Sequence, residues 1–152
     1  VRERQNRPAD AIESYRAALA ADPDWADAHN NLGAALASAG RLSEALGHLE
    51  RAVGIRPGFS KARYNLGLVL GRLGRFERAL AELEEASRLD PSDRDAKVAL
   101  AVFASKLAAQ RAAEGLADEA RTLLDRAARA ARAAGRPDLA SEIERQAGPA
   151  PR

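Results

Sequence analysis

The sequence predicts an all-α fold, a solenoid of stacked antiparallel helix pairs closed by a C-terminal capping helix. The first sign is an internal period. Pro23, Pro57 and Pro91 stand 34 residues apart, and Ala11, Ala45 and Ala79 keep that spacing, as do Ala18, Ala52 and Ala86. Leu32-Gly33 returns as Leu66-Gly67, and Gly40 returns as Gly74. A fixed period of this length marks one supersecondary unit repeated along a stack. The second sign lies inside the period: two amphipathic stretches of about 14 residues, parted by Gly40-Arg41 or Gly74-Arg75. The third is composition. Hydrophobic residues make up 46% of the chain but aromatics only 4%, so alanine and leucine must build the core. Small and unbranched side chains suit close helix crossings and give little material for a sheet.

The elements follow in order. Helix 8–21, with Ala11, Tyr15 and Ala18 in phase, is the second half of a unit spanning 7–25. Val1 to Gln5 reads as the tail of its lost first half. Units 26–59 and 60–93 each hold a full pair. Gly40 and Gly74 supply the positive φ that ends the first helix, and the proline segment stops the second. Apolar residues at helical spacing (Leu32, Leu36, Leu42, Leu46, Leu49) recur as Leu66, Leu70, Phe76, Leu80 and Leu83. Small residues, Gly33, Ala45 and Ala52 and their equivalents Gly67, Ala79 and Ala86, stand where a larger side chain would overpack a close crossing.

The fourth unit, 94–134, is lengthened. It lacks the closing proline, and its glycine, Gly115, arrives seven residues late. Seven residues are close to two helical turns, so the apolar face rotates by only ~20°. The expectation is one helix from Pro91 to Glu114 and another from Leu116 to Ala134. Gly135 then stops the chain, and Pro137 starts a final helix to Ala147. Leu139 and Ile143 face inward there, with Glu142, Glu144 and Arg145 outward, as a terminal cap requires. Gly148 to Pro151 reads as a frayed tail.

These positions resemble the tetratricopeptide repeat. The family pattern is met at Leu32, Gly33, Leu36, Gly40, Ala45, Leu49, Ala52 and Pro57, and again at Leu66, Gly67, Leu70, Gly74, Ala79, Leu83, Ala86 and Pro91. His29 and Arg63 stand where the family usually has tryptophan. The resemblance covers residues 7 to 134 and implies a right-handed superhelix whose first helices line a concave groove.

Composition limits the function classes. Residues number 152, enough for one domain burying roughly 70% of its unfolded surface. The net charge is only +2, with 24 Lys and Arg against 22 Asp and Glu, so charge does not point to nucleic acid. There is no cysteine and hence no disulfide or thiolate ligand, which suits cytoplasm and periplasm equally. No apolar run approaches the ~18–20 residues of a membrane span. The chain lacks methionine and begins at Val1, which reads as an excerpt from a longer protein. Its alanine and arginine richness matches a GC-rich bacterial genome.

Chemistry finds little to work with. No glycine loop precedes Lys-Ser or Lys-Thr, and no nucleophile motif is present. His29 and His48, the two histidines, read as lying on different helical faces without a carboxylate cluster. No metal and no cofactor is therefore expected. Glu82, Glu84 and Glu85 read as a solvated face pairing locally with Arg78 and Arg88. Arg126, Arg129, Arg132 and Arg136 line one side of the last long helix, favoured by its dipole or by an acidic partner. They lack interleaved aromatics, which weighs against single-stranded nucleic acid.

The family resemblance places the candidate site in the groove: Asn30, Asn31, Lys61, Tyr64, Asn65, Leu68, Arg72, Val102 and Lys106. Asn31 and Asn65 are equivalent residues one unit apart, and an amide can pair with any peptide backbone. Some co-chaperone members hold a Glu-Glu-Val-Asp tail in a clamp of lysine, asparagine and arginine. Asn31 and Lys61 match two clamp positions, but Asn65 stands in place of the arginine, so the expected ligand is a differently held, partly acidic peptide. The expected function is a non-enzymatic scaffold binding a peptide or partner helix, without nucleic acid and without insertion into a membrane. Two alternatives stand beside it. One is a repeat appendage of a larger enzyme, of glycosyltransferase or sulfotransferase type. The other is self-association as a homodimer through Ile12, Tyr15 and Leu19 on the uncovered first helix.

Overall fold

Residues 7–147 of the computed structural model form eight helices: α1 (Arg7–Ala21), α2 (Ala26–Ser38), α3 (Leu42–Ile55), α4 (Ser60–Arg72), α5 (Phe76–Leu89), α6 (Arg94–Ala113), α7 (Ala117–Ala133) and α8 (Pro137–Ala147). Val1 to Gln5 and Gly148 to Pro151 lie outside these described residues. No strand occurs among the described residues, and no helix there is long and apolar enough to cross a membrane.

Four glycines end four helices. Gly40, Gly74, Gly115 and Gly135 have φ between 73° and 82°. At each, the glycine N–H and the next N–H reach back into the last helical turn, as in Gly40 N to Ala37 O at 3.1 Å and Arg41 N to Leu36 O at 2.9 Å. This double bond pattern satisfies carbonyls that the helix end would otherwise orphan. The turns at the other ends carry the prolines. Here the structure corrects the start of α6, which begins at Arg94 rather than Pro91. Asp90 folds its carboxylate over Ser92, accepting from its N–H at 3.0 Å, and Asp93 caps the helix through Ala96 N at 3.0 Å. Pro91 is left in a turn, as Pro23 and Pro57 are. At α8 the Arg136 guanidinium holds the Asp138 carboxyl down at about 2, and Pro137 opens the helix.

One side-chain device recurs in all three proline turns. His29 Nε2, Arg63 Nε and Lys97 Nζ each bond the carbonyl of the proline six residues upstream, Pro23, Pro57 and Pro91 respectively. The position that departs from the family's tryptophan thus ties the start of each first helix to the turn before it.

The core is the predicted one of leucine against glycine. Leu32, Leu36, Leu49, Leu66, Leu70 and Leu83 are fully buried. A Cβ added at Gly33 would lie 2.6 Å from Leu49 Cγ, and one at Gly67 would lie 2.6 Å from Leu83 Cγ. Each second helix therefore closes directly on the backbone of its first helix.

The helices stack in two layers. α2 touches α4 and α4 touches α6, whereas the backbones of α3, α5 and α7 are spread further apart and meet through long charged side chains. The layer of first helices is thus the inside of the curve. Across the outer seam, ion pairs join successive units: Arg16 with Glu44 at 3.4 Å, and Glu50 with Arg78 at 2.9 Å. Glu84 pairs with Arg126 in the next step. The fourth unit is longer than the others, with 20 and 17 residues in α6 and α7 against 13 and 14 in α4 and α5.

The first helix is not left open along its apolar face. Ile12 is only 4% exposed and belongs to the core, with Tyr15 and Leu19 half-buried against it. α1 packs on α2 in the way α3 packs on α4, so Ile12, expected to be exposed, is buried, while Tyr15 and Leu19 are covered in part.

Candidate functional site

Three asparagines form a relay across the inner layer. Asn65 Nδ2 on α4 donates to Asn30 Oδ1 on α2 at 2.8 Å, and Asn30 Nδ2 donates to Asn31 Oδ1 at 3.1 Å. Asn30 is 1% exposed, so it lies beneath the groove as a connector and is not itself a contact surface. Asn31 and Asn65 are half-buried. A side-chain amide has both donor and acceptor ends. The relay uses one of each in Asn30 and leaves the Asn65 oxygen and the Asn31 NH₂ unengaged by other described side chains.

Beside the relay is a cavity of about 230 Å³ between α2, α4 and α6, lined by Ala34, Ala37, Asn65, Leu68, Arg72 and Phe103 among others. Phe103 forms part of its wall by lying across Gly71, where an added Cβ would come within 2.3 Å of a ring carbon. Arg72 Nη1 donates to Ala37 O at 2.8 Å, which ties the end of α4 to the end of α2.

The other groove residues flank this centre. Val102 is half-buried, and Lys106 sets its Nζ 5.8 Å from the Phe103 ring centroid. Lys61 and Tyr64 lie toward the start of α4; Lys61 and Arg72, eleven residues apart, are separated by about 16 Å of helix. Burial, then Asp95 and Asp93, push the Tyr64 hydroxyl above its ordinary pKa, so it stays a neutral donor. Among the described residues, Lys61, Arg72 and Lys106 pair with no carboxylate. The structure therefore brings Asn30, Asn31, Asn65, Leu68 and Arg72 into one centre, with Val102 and Lys106 at one flank and Lys61 and Tyr64 at the other.

Sequence reasoning missed Phe103, Ala37 and Val69 as cavity residues. The available signal was Gly71, a glycine inside α4 where the preceding unit has Ala37. It also separated two residues that meet. His29 Nδ1 and His48 Nδ1 are 3.0 Å apart, joining α2 to α3. The Pro23 carbonyl can only accept, so His29 donates to it from Nε2, and with both rings neutral His48 Nδ1 donates to His29 Nδ1. Burial first, then His29 and Arg16, lower the His48 pKa, with Glu44 acting in the opposite sense. No group of three or more metal-ligating side chains occurs among the described residues. The arginine run is largely engaged: Arg126 pairs with Glu84, Arg132 with Glu144 and Arg136 with Asp138.

Paired helices, leucine-on-glycine crossings and an inner layer of first helices define a helical-repeat solenoid. Tetratricopeptide-repeat profiles match residues 1–58 and 36–102, and the chain belongs to the tetratricopeptide-repeat family. No curated protein sequence matches it significantly. Among solved structures it is similar to YrrB, described as a TPR protein with an unusual peptide-binding site. The TM-score is 0.68 and identity 23%, over 93% of this chain and 68% of that one. It is similar to MamA, with a TM-score of 0.66 at 20% identity over 95% of this chain and 89% of that one. It is also similar to the first TPR domain of Spaghetti (RPAP3) bound to the HSP90 peptide SRMEEVD. That match has a TM-score of 0.66 at 24% identity, over 69% of this chain and 83% of that one. Likeness at these identities is likeness of fold.

Proposed function

We propose that the chain is a protein-interaction module that holds an extended peptide segment along the groove of α2, α4 and α6. The observation that carries this reading is the Asn31–Asn30–Asn65 relay. An extended peptide offers one N–H and one C=O per residue whatever its side chains. The relay meets it with a free acceptor at Asn65 and a free donor at Asn31, held in register by a buried connector. Tyr64 and Leu68 add apolar surface, and the cations Lys61, Arg72 and Lys106 favour a segment carrying some negative charge. Such charges speed association more than they tighten binding. The peptide-bound Spaghetti domain and the peptide site of YrrB support a peptide as the partner class.

Affinity capture from lysate of the source organism tests this, comparing the wild type with an Asn31→Ala, Lys61→Ala, Asn65→Ala variant. The expected outcome is a specific partner that the variant loses while its circular dichroism and melting remain cooperative. A partner held equally by both proteins would place the contact outside the groove and sink the reading.

A further inference from the structure

We infer that the groove selects a segment carrying one large aliphatic or aromatic side chain with a carboxylate one or two residues away, an inference that rests on the groove reading above. The cavity of about 230 Å³ is mostly apolar, walled by Ala34, Leu68, Val69 and Phe103. It is smaller than the ~300–1,000 Å³ of a small-molecule site and several times the ~30 Å³ share of one water. Its scale is one side chain. Among the described residues its Phe103 wall belongs to the junction of α4 and α6. The ring of Phe103 reaches its place because Gly71 has no Cβ, whereas the preceding unit has Val69 and Ala37 at the corresponding positions.

The rim fixes what stands beside the anchor. Arg72 gives one N–H to Ala37 O and pairs with no carboxylate among the described residues. A guanidinium has five donors, and a carboxylate engages two of them side by side. Lys106 stands over Phe103, also without a carboxylate partner among the described residues. The acidic side chain on the same helix, Asp95, is eleven residues and about 16 Å from Lys106. A basic residue next to the anchor would meet two unpaired cations, so this rim excludes as well as attracts.

The test is selection of phage-displayed random heptapeptides on the wild-type protein, on Ala34→Leu and on Arg72→Gln. Ala34→Leu narrows the cavity from its α2 wall and keeps a good helix former on α2. The enriched peptides are expected to carry Leu, Ile, Met or Phe close to Asp or Glu. Replacing that apolar residue with Ala should weaken binding to the wild type by about tenfold or more and make a smaller difference to Ala34→Leu. Arg72→Gln should weaken the acidic preference and reduce the salt dependence of binding, with Lys106 retaining the remainder. Enriched peptides that lack the apolar–acidic pair, or whose apolar residue matters as much to Ala34→Leu, would overturn the inference. If those peptides still lose binding to Asn31→Ala, the groove reading stands alone. A selection without enrichment, or peptides indifferent to every groove substitution, overturns both.

Discussion

Glycine acts in opposite ways at two kinds of position in these helices. At Gly67 a methyl group would collide with Leu83, whereas at Gly54 in α3 nothing lies within 4 Å. Overpacking costs about 1–3 kcal/mol, and alanine in place of helical glycine gains up to ~1 kcal/mol. Gly67→Ala should therefore lower stability by about 1–2 kcal/mol, while Gly54→Ala should raise it slightly; urea denaturation of the two variants decides the signs. The period made the Gly33 and Gly67 crossings legible, because glycine at the same place in two units asks for a packing reason. It hid the role of His29, Arg63 and Lys97. Read as residues they differ in size and charge; what they share is a donor at the right reach from a proline carbonyl, and that reach exists only in the folded turn.

At the scale of helices, the His29–His48 bond makes the α2–α3 contact sensitive to acid. The folded His48 pKa lies below its ordinary 6.5, so around that pH the unfolded chain binds more protons than the folded one. Stability must then rise with pH through this window and fall as pH drops below about 6.5. Denaturation at about pH 7.5 and pH 5 should show this loss in the wild type and a smaller one in His48→Gln; equal losses would show that the pair does not couple to folding. The sequence could not reveal this pair, since nineteen residues and a tight turn separate its members. The same holds for the outer charges. Local pairs of Glu82, Glu84 and Glu85 with Arg78 and Arg88 were expected, yet only Glu85–Arg88 is local; Glu82 bonds Arg63, and Glu84 and Arg78 reach neighbouring units. The lengthening of α6 and α7, by contrast, was legible from one displaced glycine.

Over the whole molecule, contacts run between neighbours along the stack, so local damage should stay local. Ile143 is fully buried where α8 meets α7. Ile143→Ala should cost about 2–5 kcal/mol of packing at that end. Amide hydrogen exchange should accelerate in α7 and α8 and remain near wild-type in α2 to α5; uniform acceleration would mean that the stack unfolds as one unit. The candidate groove was legible only in outline. Asn31 and Asn65 announce themselves by their spacing, but the cavity depends on α6 docking against α4, which no single period contains. The outer seam carries a further consequence. Its ion pairs reverse polarity along the chain: Arg16 faces Glu44, then Glu50 faces Arg78. A tandem copy of 60–93 placed after itself would set Glu84 opposite a second Arg78, whereas a tandem copy of 26–59 would set Glu50 opposite a second Glu44. Gene duplication could thus lengthen this array through its third unit more readily than through its second, a bias written in the sign of two side chains.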